Sequence, residues 1–147
     1  MLARRRRSIA LAVAVSAALT PVALAHAARV PTIDVWSGKT HRKADGMFLS
    51  NVRGTIAVSV QITVNCLATD GTKTPTSFSA NGRLLGGRVT IINQKAGPNA
   101  TLTISARLPR TRAATGTVRW NQAATNTLKA CAGGDTFKLK HAISHGG

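Results

Sequence analysis

From Thr55 to Cys66 the chain alternates with a period of two. Ile56, Val58, Val60, Ile62, Val64 and Cys66 are apolar, and nearly every residue between them is polar. Successive side chains of a strand point to opposite faces, so this pattern predicts a half-buried antiparallel strand with its even positions in the core. The period recurs in Ala100, Leu102, Ile104, Ala106 and Leu108, which alternate with Thr101, Thr103, Ser105 and Arg107. Shorter stretches repeat it at Val89 and Ile91, at Val118 and Trp120 around Arg119, and at Phe137 and Leu139 between Thr136, Lys138 and Lys140. In each the basic residues fall on the solvent side. Trp120, in phase with Val118, is expected to point inward, and Trp36 to join the core as well.

Turn-forming residues separate these runs: Asp70-Gly71, Asn81-Gly82, Gly86-Gly87, Gly97-Pro98-Asn99, Pro109 and Gly133-Gly134-Asp135. Short strands at such intervals, with no sustained helical stripe, predict an all-β chain. The expected architecture is an antiparallel two-sheet β-sandwich of about seven or eight strands. Its domain is expected over residues 28–142, with residues 143–147 as a flexible tail.

The front of the chain follows a different pattern. Arg4, Arg5, Arg6 and Arg7 precede the apolar run from Ser8 to Leu19, and Pro21 interrupts it before the small-residue sites Ala23-Leu24-Ala25 and Ala25-His26-Ala27. A positive block, a short apolar segment and small residues at cleavage spacing describe a secretory signal peptide, expected over residues 1–27 with cleavage after Ala25 or Ala27. A membrane-spanning helix needs about 20 uninterrupted apolar residues. This run is shorter, and no later segment is long and apolar enough, so no stable membrane span is expected. The address implied is the cell exterior or envelope.

Composition adds a strong charge. The 147 residues carry 20 Lys and Arg against four acids, a formal net charge of +16, and lack glutamate and tyrosine altogether. Removing Arg4 to Arg7 leaves sixteen cations and Asp34, Asp45, Asp70 and Asp135, so the exported part stands at +12. A charge of that size attracts polyanions without a shaped pocket. The basic positions expected to contact a polyanion are Arg107, Arg110, Arg112, Arg119, Lys129, Lys138 and Lys140, with a further group at Lys39, Arg42 and Lys43. Outside a cell the available polyanions include anionic cell-wall polymers, acidic polysaccharides and lipid headgroups. Sequence-specific nucleic-acid binding is not expected, because single-strand readers interleave cations with stacking aromatics and this chain has only two Trp and three Phe.

Cys66 and Cys131 are the only cysteines. In an oxidising compartment such a pair closes, so a Cys66–Cys131 disulfide is expected. A redox role would call for a low-pKa thiol, usually in a Cys-x-x-Cys pair, and the sequence contains none.

Several segments resemble, in order and spacing, a group of small exported β-sandwich proteins of actinobacterial type. They are Trp36-Ser37-Gly38-Lys39-Thr40, the alternating strand ending in Cys66, Phe78-Ser79-Ala80-Asn81-Gly82-Arg83, Ala113-Ala114-Thr115-Gly116-Thr117-Val118, and Cys131 just before a final strand. The resemblance covers most of the exported part and implies a fold, with no activity attached.

Candidate chemistry is sparse. Glycosidases generally use two flanking carboxylates, and two of the four aspartates, Asp70 and Asp135, sit beside glycines where turn formation accounts for them. No Gly-x-Ser-x-Gly elbow accompanies the many Ser and Thr residues. His141 and His145 are four apart but are expected in a frayed tail, so no metal or cofactor site is assigned. If cleavage follows Ala25, His26 becomes a terminal residue whose amine and imidazole chelate Cu(II), with His41 as a second ligand. A copper carrier and a secreted enzyme are thus the alternatives to the expected reading, a non-enzymatic exported binding module with a basic surface.

Overall fold

The structure is a computed structural model that describes residues 30–42 and 46–145. The expected signal peptide and His26 lie outside the described residues. Eight strands follow in order: β1 (Thr32–Lys39), β2 (Gly46–Val52), β3 (Ala57–Leu67), β4 (Lys73–Leu85), β5 (Arg88–Gly97), β6 (Ala100–Arg107), β7 (Ala114–Gln122) and β8 (Cys131–His145). Each pairs antiparallel with the next, and β8 pairs with β1, so the chain forms one closed up-and-down barrel. Among the described residues no helix is long and apolar enough to cross a membrane.

The all-β antiparallel class holds, but the two-sheet sandwich is not confirmed, because the ladders join in one ring. Two long strands make the junctions. β4 pairs with β3 through Arg83 and then passes to β5, which it meets only at Leu84–Val89 and Leu85–Arg88. β8 pairs with β7 from Cys131 to Leu139 and with β1 from Lys140 to His145. Residues 143–145, expected in a loose tail, therefore form the closing ladder with Thr32, Ile33 and Asp34.

Two of the expected turns prove to lie inside strands. Asn81-Gly82 sits within β4 at its changeover, where a Cβ on Gly82 would come within 2.7 Å of the Val89 side chain. Gly133-Gly134-Asp135 sits within β8, where a Cβ on Gly133 would lie 2.5 Å from the Trp120 ring. Here glycine marks a barrel corner and a close approach rather than a turn. Gly86-Gly87 is a true two-residue hairpin loop, both residues having positive φ, as the twist of the flanking strands requires.

The interior is filled by side chains from all eight strands, among them Trp36, Leu49, Ile62, Phe78, Val89, Leu102, Val118 and Leu139. Both tryptophans are buried as expected, Trp120 in phase with Val118. Outward positions carry hydroxyls, amides and cations, the reverse of a barrel whose wall faces lipid. Ile56 departs from its series: it is in phase with Val58 but precedes the first residue of β3, and it stands exposed beyond the barrel's end.

The two ends of the barrel differ. At one, the expected Cys66–Cys131 disulfide joins β3 to β8, which are not ladder neighbours. The β7–β8 loop folds across the same end, with Lys129 N donating to Leu67 O and Thr69 N to Thr127 O. The other end is made of the β2–β3, β4–β5 and β6–β7 connections together with the start of β1 and the end of β8.

Candidate functional site

Arginines concentrate at the end opposite the disulfide. Arg53 lies on the β2–β3 connection, Arg83 near the end of β4, Arg88 at the start of β5, Arg107 at the end of β6, and Arg110 and Arg112 on the β6–β7 connection. Hydrogen bonds tie these connections together: Leu84 N donates to Ile56 O at 2.6 Å, and Leu108 N to Gly87 O at 2.8 Å. The arginines thus stand on a linked set of turns and not on independent loops.

One carboxylate anchors this end. Asp34 is fully buried on β1, its Oδ1 accepting from Arg53 Nη2 at 3.0 Å and His141 Nε2 at 2.9 Å, and its Oδ2 from Arg53 Nε at 3.0 Å. Arg110 Nε approaches Oδ2 at 3.9 Å. An ionised carboxylate only accepts, so His141 Nε2 carries the proton in this contact. Trp36 seats the imidazole from below, ring centroid 5.3 Å away, while its own Nε1 donates to Pro109 O at 3.2 Å. The Arg53 guanidinium, above all, and then His141 hold Asp34 below the usual carboxylate range against the opposing effect of burial. A carboxylate so held is ionised at neutral pH and has no proton to give as a general acid.

Asn51, opposite Asp34 on β2, is buried beside this cluster and donates to Thr55 O and Ala57 O, which fixes the β2–β3 connection that carries Arg53. The histidine expected in a frayed tail is therefore an interior polar residue. Its signal was present in the chain, since Phe137, Leu139 and His141 share one phase, as do Asp34 and Trp36.

Along the outer wall a second arrangement appears. Arg88 on β5 lies directly opposite Arg107 on β6, Arg107 opposite Thr115 on β7, and Thr115 opposite Lys138 on β8. Lys39 completes the row, since the β1–β8 register runs through Ser37–Lys140 to Thr40–Phe137 and sets it against Lys138. All five side chains are exposed. The next outward row is Thr90, Ser105, Thr117 and Thr136, so cations are flanked by hydroxyls. Two shallow depressions lie along the row. One is lined by Arg88, Ser105, Arg107 and Thr115, the other by Lys39, His41, Thr136 and Lys138.

Like charges directly opposite one another destabilise a ladder, yet this row contains two such pairs. Among the described residues the ion pairs are all made to Asp34, and none involves Arg88, Arg107, Lys138 or Lys39.

Of the basic residues singled out from the sequence, Arg107, Arg110 and Arg112 come together at the arginine end, and Lys138 joins the row. Lys140 lies opposite Ser37 on the same wall. Arg119 stands opposite Thr103 and Gly134, four residues along β7 from Thr115. Lys129 belongs to the disulfide end. Sequence reasoning left Arg53, Arg83 and Arg88 out of the contact set and kept Lys39 in a separate group with Arg42 and Lys43, because only the barrel's registers and turns bring them beside the others; Lys43 lies outside the described residues. Among the described residues no group of three or more His, Cys, Asp or Glu is arranged to hold a metal ion. Comparison with protein families, curated proteins and solved structures finds no match to this chain, so the functional argument rests on the geometry above.

Proposed function

We propose that this protein is an exported, non-enzymatic binding module that engages polyanions of the cell exterior through its basic row and arginine-rich end. The observation that carries the reading is the pair of like-charge oppositions in register, Arg88 against Arg107 and Lys39 against Lys138, set in one row with no carboxylate partner among the described residues. Such a row costs stability in the free protein, and an anionic polymer laid across it offsets that cost while releasing counterions. The flanking hydroxyls supply neutral hydrogen bonds to phosphate or sugar oxygens.

Export is supported by the arginine block and apolar run at the front of the chain and is consistent with the Cys66–Cys131 bridge, since disulfides persist in oxidising compartments. The resemblance to small exported actinobacterial-type proteins agrees with this address. Anionic cell-wall polymers are the expected partners.

The test is retention of the processed protein on an immobilised phosphate polymer across a salt gradient, with its N-terminus and disulfide verified by intact mass. Release only well above physiological salt supports the reading. Elution near physiological salt contradicts it and leaves the basic residues as a solubilising surface.

A further inference from the structure

We infer that the arginine end is a membrane-contacting tip whose partner is the surface of an anionic lipid bilayer, met end-on. The inference rests on the polyanion reading above and names the source of the anion at this end. It follows from where the exposed apolar side chains lie.

Eight large hydrophobic residues stand exposed among the described residues: Val30, Phe48, Val52, Ile56, Leu67, Leu85, Ile92 and Ile143. Five of them fall at the arginine end. Val52 ends β2, Ile56 immediately precedes β3, Leu85 ends β4, Ile143 lies opposite Asp34, and Val30 lies two residues before β1. Phe48 and Leu67 lie elsewhere, while Ile92, further along β5, lines a shallow depression with Arg83, Leu85 and Arg88, so the concentration belongs to this end and the wall that adjoins it.

Two connections each combine an apolar tip with a cation. The β2–β3 connection carries Val52 and Ile56 around Arg53, and the β4–β5 hairpin carries Leu85 opposite Arg88. Ile56 and Leu85 are 46% and 61% exposed, although the phase of the β3 strand assigns Ile56 to the core. A soluble polymer contacts the cations and gains nothing from these side chains. A bilayer surface engages both, with the apolar tips entering the headgroup–acyl boundary and the guanidiniums remaining at the phosphates.

The rest of the molecule fits an end-on approach. Away from this end the barrel wall carries mainly hydroxyls, amides and cations, and the interior is packed. Asp34 steers Arg53 by two hydrogen bonds at 3.0 Å, which fixes this side chain on the connection that also carries Val52 and Ile56. Among the described residues, six arginines and one carboxylate leave this end net cationic by five charges, which selects an anionic over a zwitterionic surface.

The experiment is cosedimentation of the processed protein with vesicles of phosphatidylglycerol or of phosphatidylcholine, with retention on soluble-type inorganic polyphosphate resin measured in parallel. The expected result is binding to phosphatidylglycerol vesicles and not to phosphatidylcholine. Ile56→Ser and Leu85→Ser should each lower vesicle affinity about tenfold while leaving polyphosphate retention unchanged. Arg53 is held by Asp34, so the cation control is Arg88→Gln, which should weaken both vesicle and polyphosphate binding several-fold. Unchanged thermal midpoints confirm that the variants fold, as expected for exposed positions. Retention on polyphosphate without vesicle binding, or vesicle binding indifferent to Ile56→Ser and Leu85→Ser, overturns the membrane inference and leaves the polyanion reading standing. Binding to neither surface overturns both.

Discussion

Replacing Asp34 by Asn tests whether the buried carboxylate organises the arginine end. The substitution preserves size but removes the charge and sets an amide donor against donors. Three contacts at 2.9–3.0 Å are affected, two from Arg53 and one from His141. Hydrogen bonds to charged groups contribute about 1.5–3 kcal/mol each. Two effects reduce the total: Arg53 and Arg110 are 39% and 57% exposed and regain hydration, and the desolvation cost of the carboxylate disappears. The expected loss at pH 7 is therefore about 2–4 kcal/mol, well short of the sum of the bonds. The pH dependence supplies the sharper signature. Asp34 is held below its ordinary range in the folded protein, by Arg53 first, so its contribution is complete above the unfolded value of about 3.9 and is lost as the pH falls through the lower folded value. The gap between wild type and Asp34→Asn should be wide at pH 7 and narrow progressively as the pH falls below about 3.9. Urea unfolding of both proteins from pH 7 to pH 2.5 measures it. Equal stability at pH 7, or a gap that stays constant into acid, would refute the reasoning.

Other outcomes follow from the same geometry. The Cys66–Cys131 bridge closes a separation of 65 residues, for which loop-closure entropy gives about 4 kcal/mol; a Cys66→Ala/Cys131→Ala double variant should lose about that much in denaturant unfolding. Gly133→Ala should cost about 1–3 kcal/mol and alter tryptophan emission, because its Cβ would fall 2.5 Å from the Trp120 ring. Arg107→Thr should raise stability by about 0.2–1 kcal/mol at low salt by relieving the opposition to Arg88, and the gain should fade at high salt.

The strands were legible because a period of two is a local signal. Val58 to Cys66, Leu102 to Leu108, Val118 with Trp120, and Phe137 with Leu139 are all buried as their phase predicts. Closure into a barrel was not, because it depends on β8 running past Leu139 to pair with β1, a contact across more than a hundred residues with no local signature. Glycine misled for a physical reason. Gly82 and Gly133 serve a corner and a ring contact within strands, and sequence offers no way to tell these from turns. The polar cluster was not read from the sequence: Asp34 shares the phase of Trp36, and His141 that of Leu139, but a charged residue and a histidine near the chain end gave no reason to place them inside, and His141 was expected in a frayed tail. That they meet one another, and that Arg53 joins them, follows only from the β1–β2 and β1–β8 registers.

The claim that the opposed cations form an anion-binding row is tested most directly by the salt dependence of binding to a phosphate polymer, compared between wild type and an Arg88→Gln/Arg107→Gln variant. Each phosphate contact contributes about 0.7–0.9 to the slope of log affinity against log salt, so the variant should lose about 1.4–1.8 from the slope while keeping its fold. An unchanged slope, or wild-type binding that does not weaken with salt, would contradict the account.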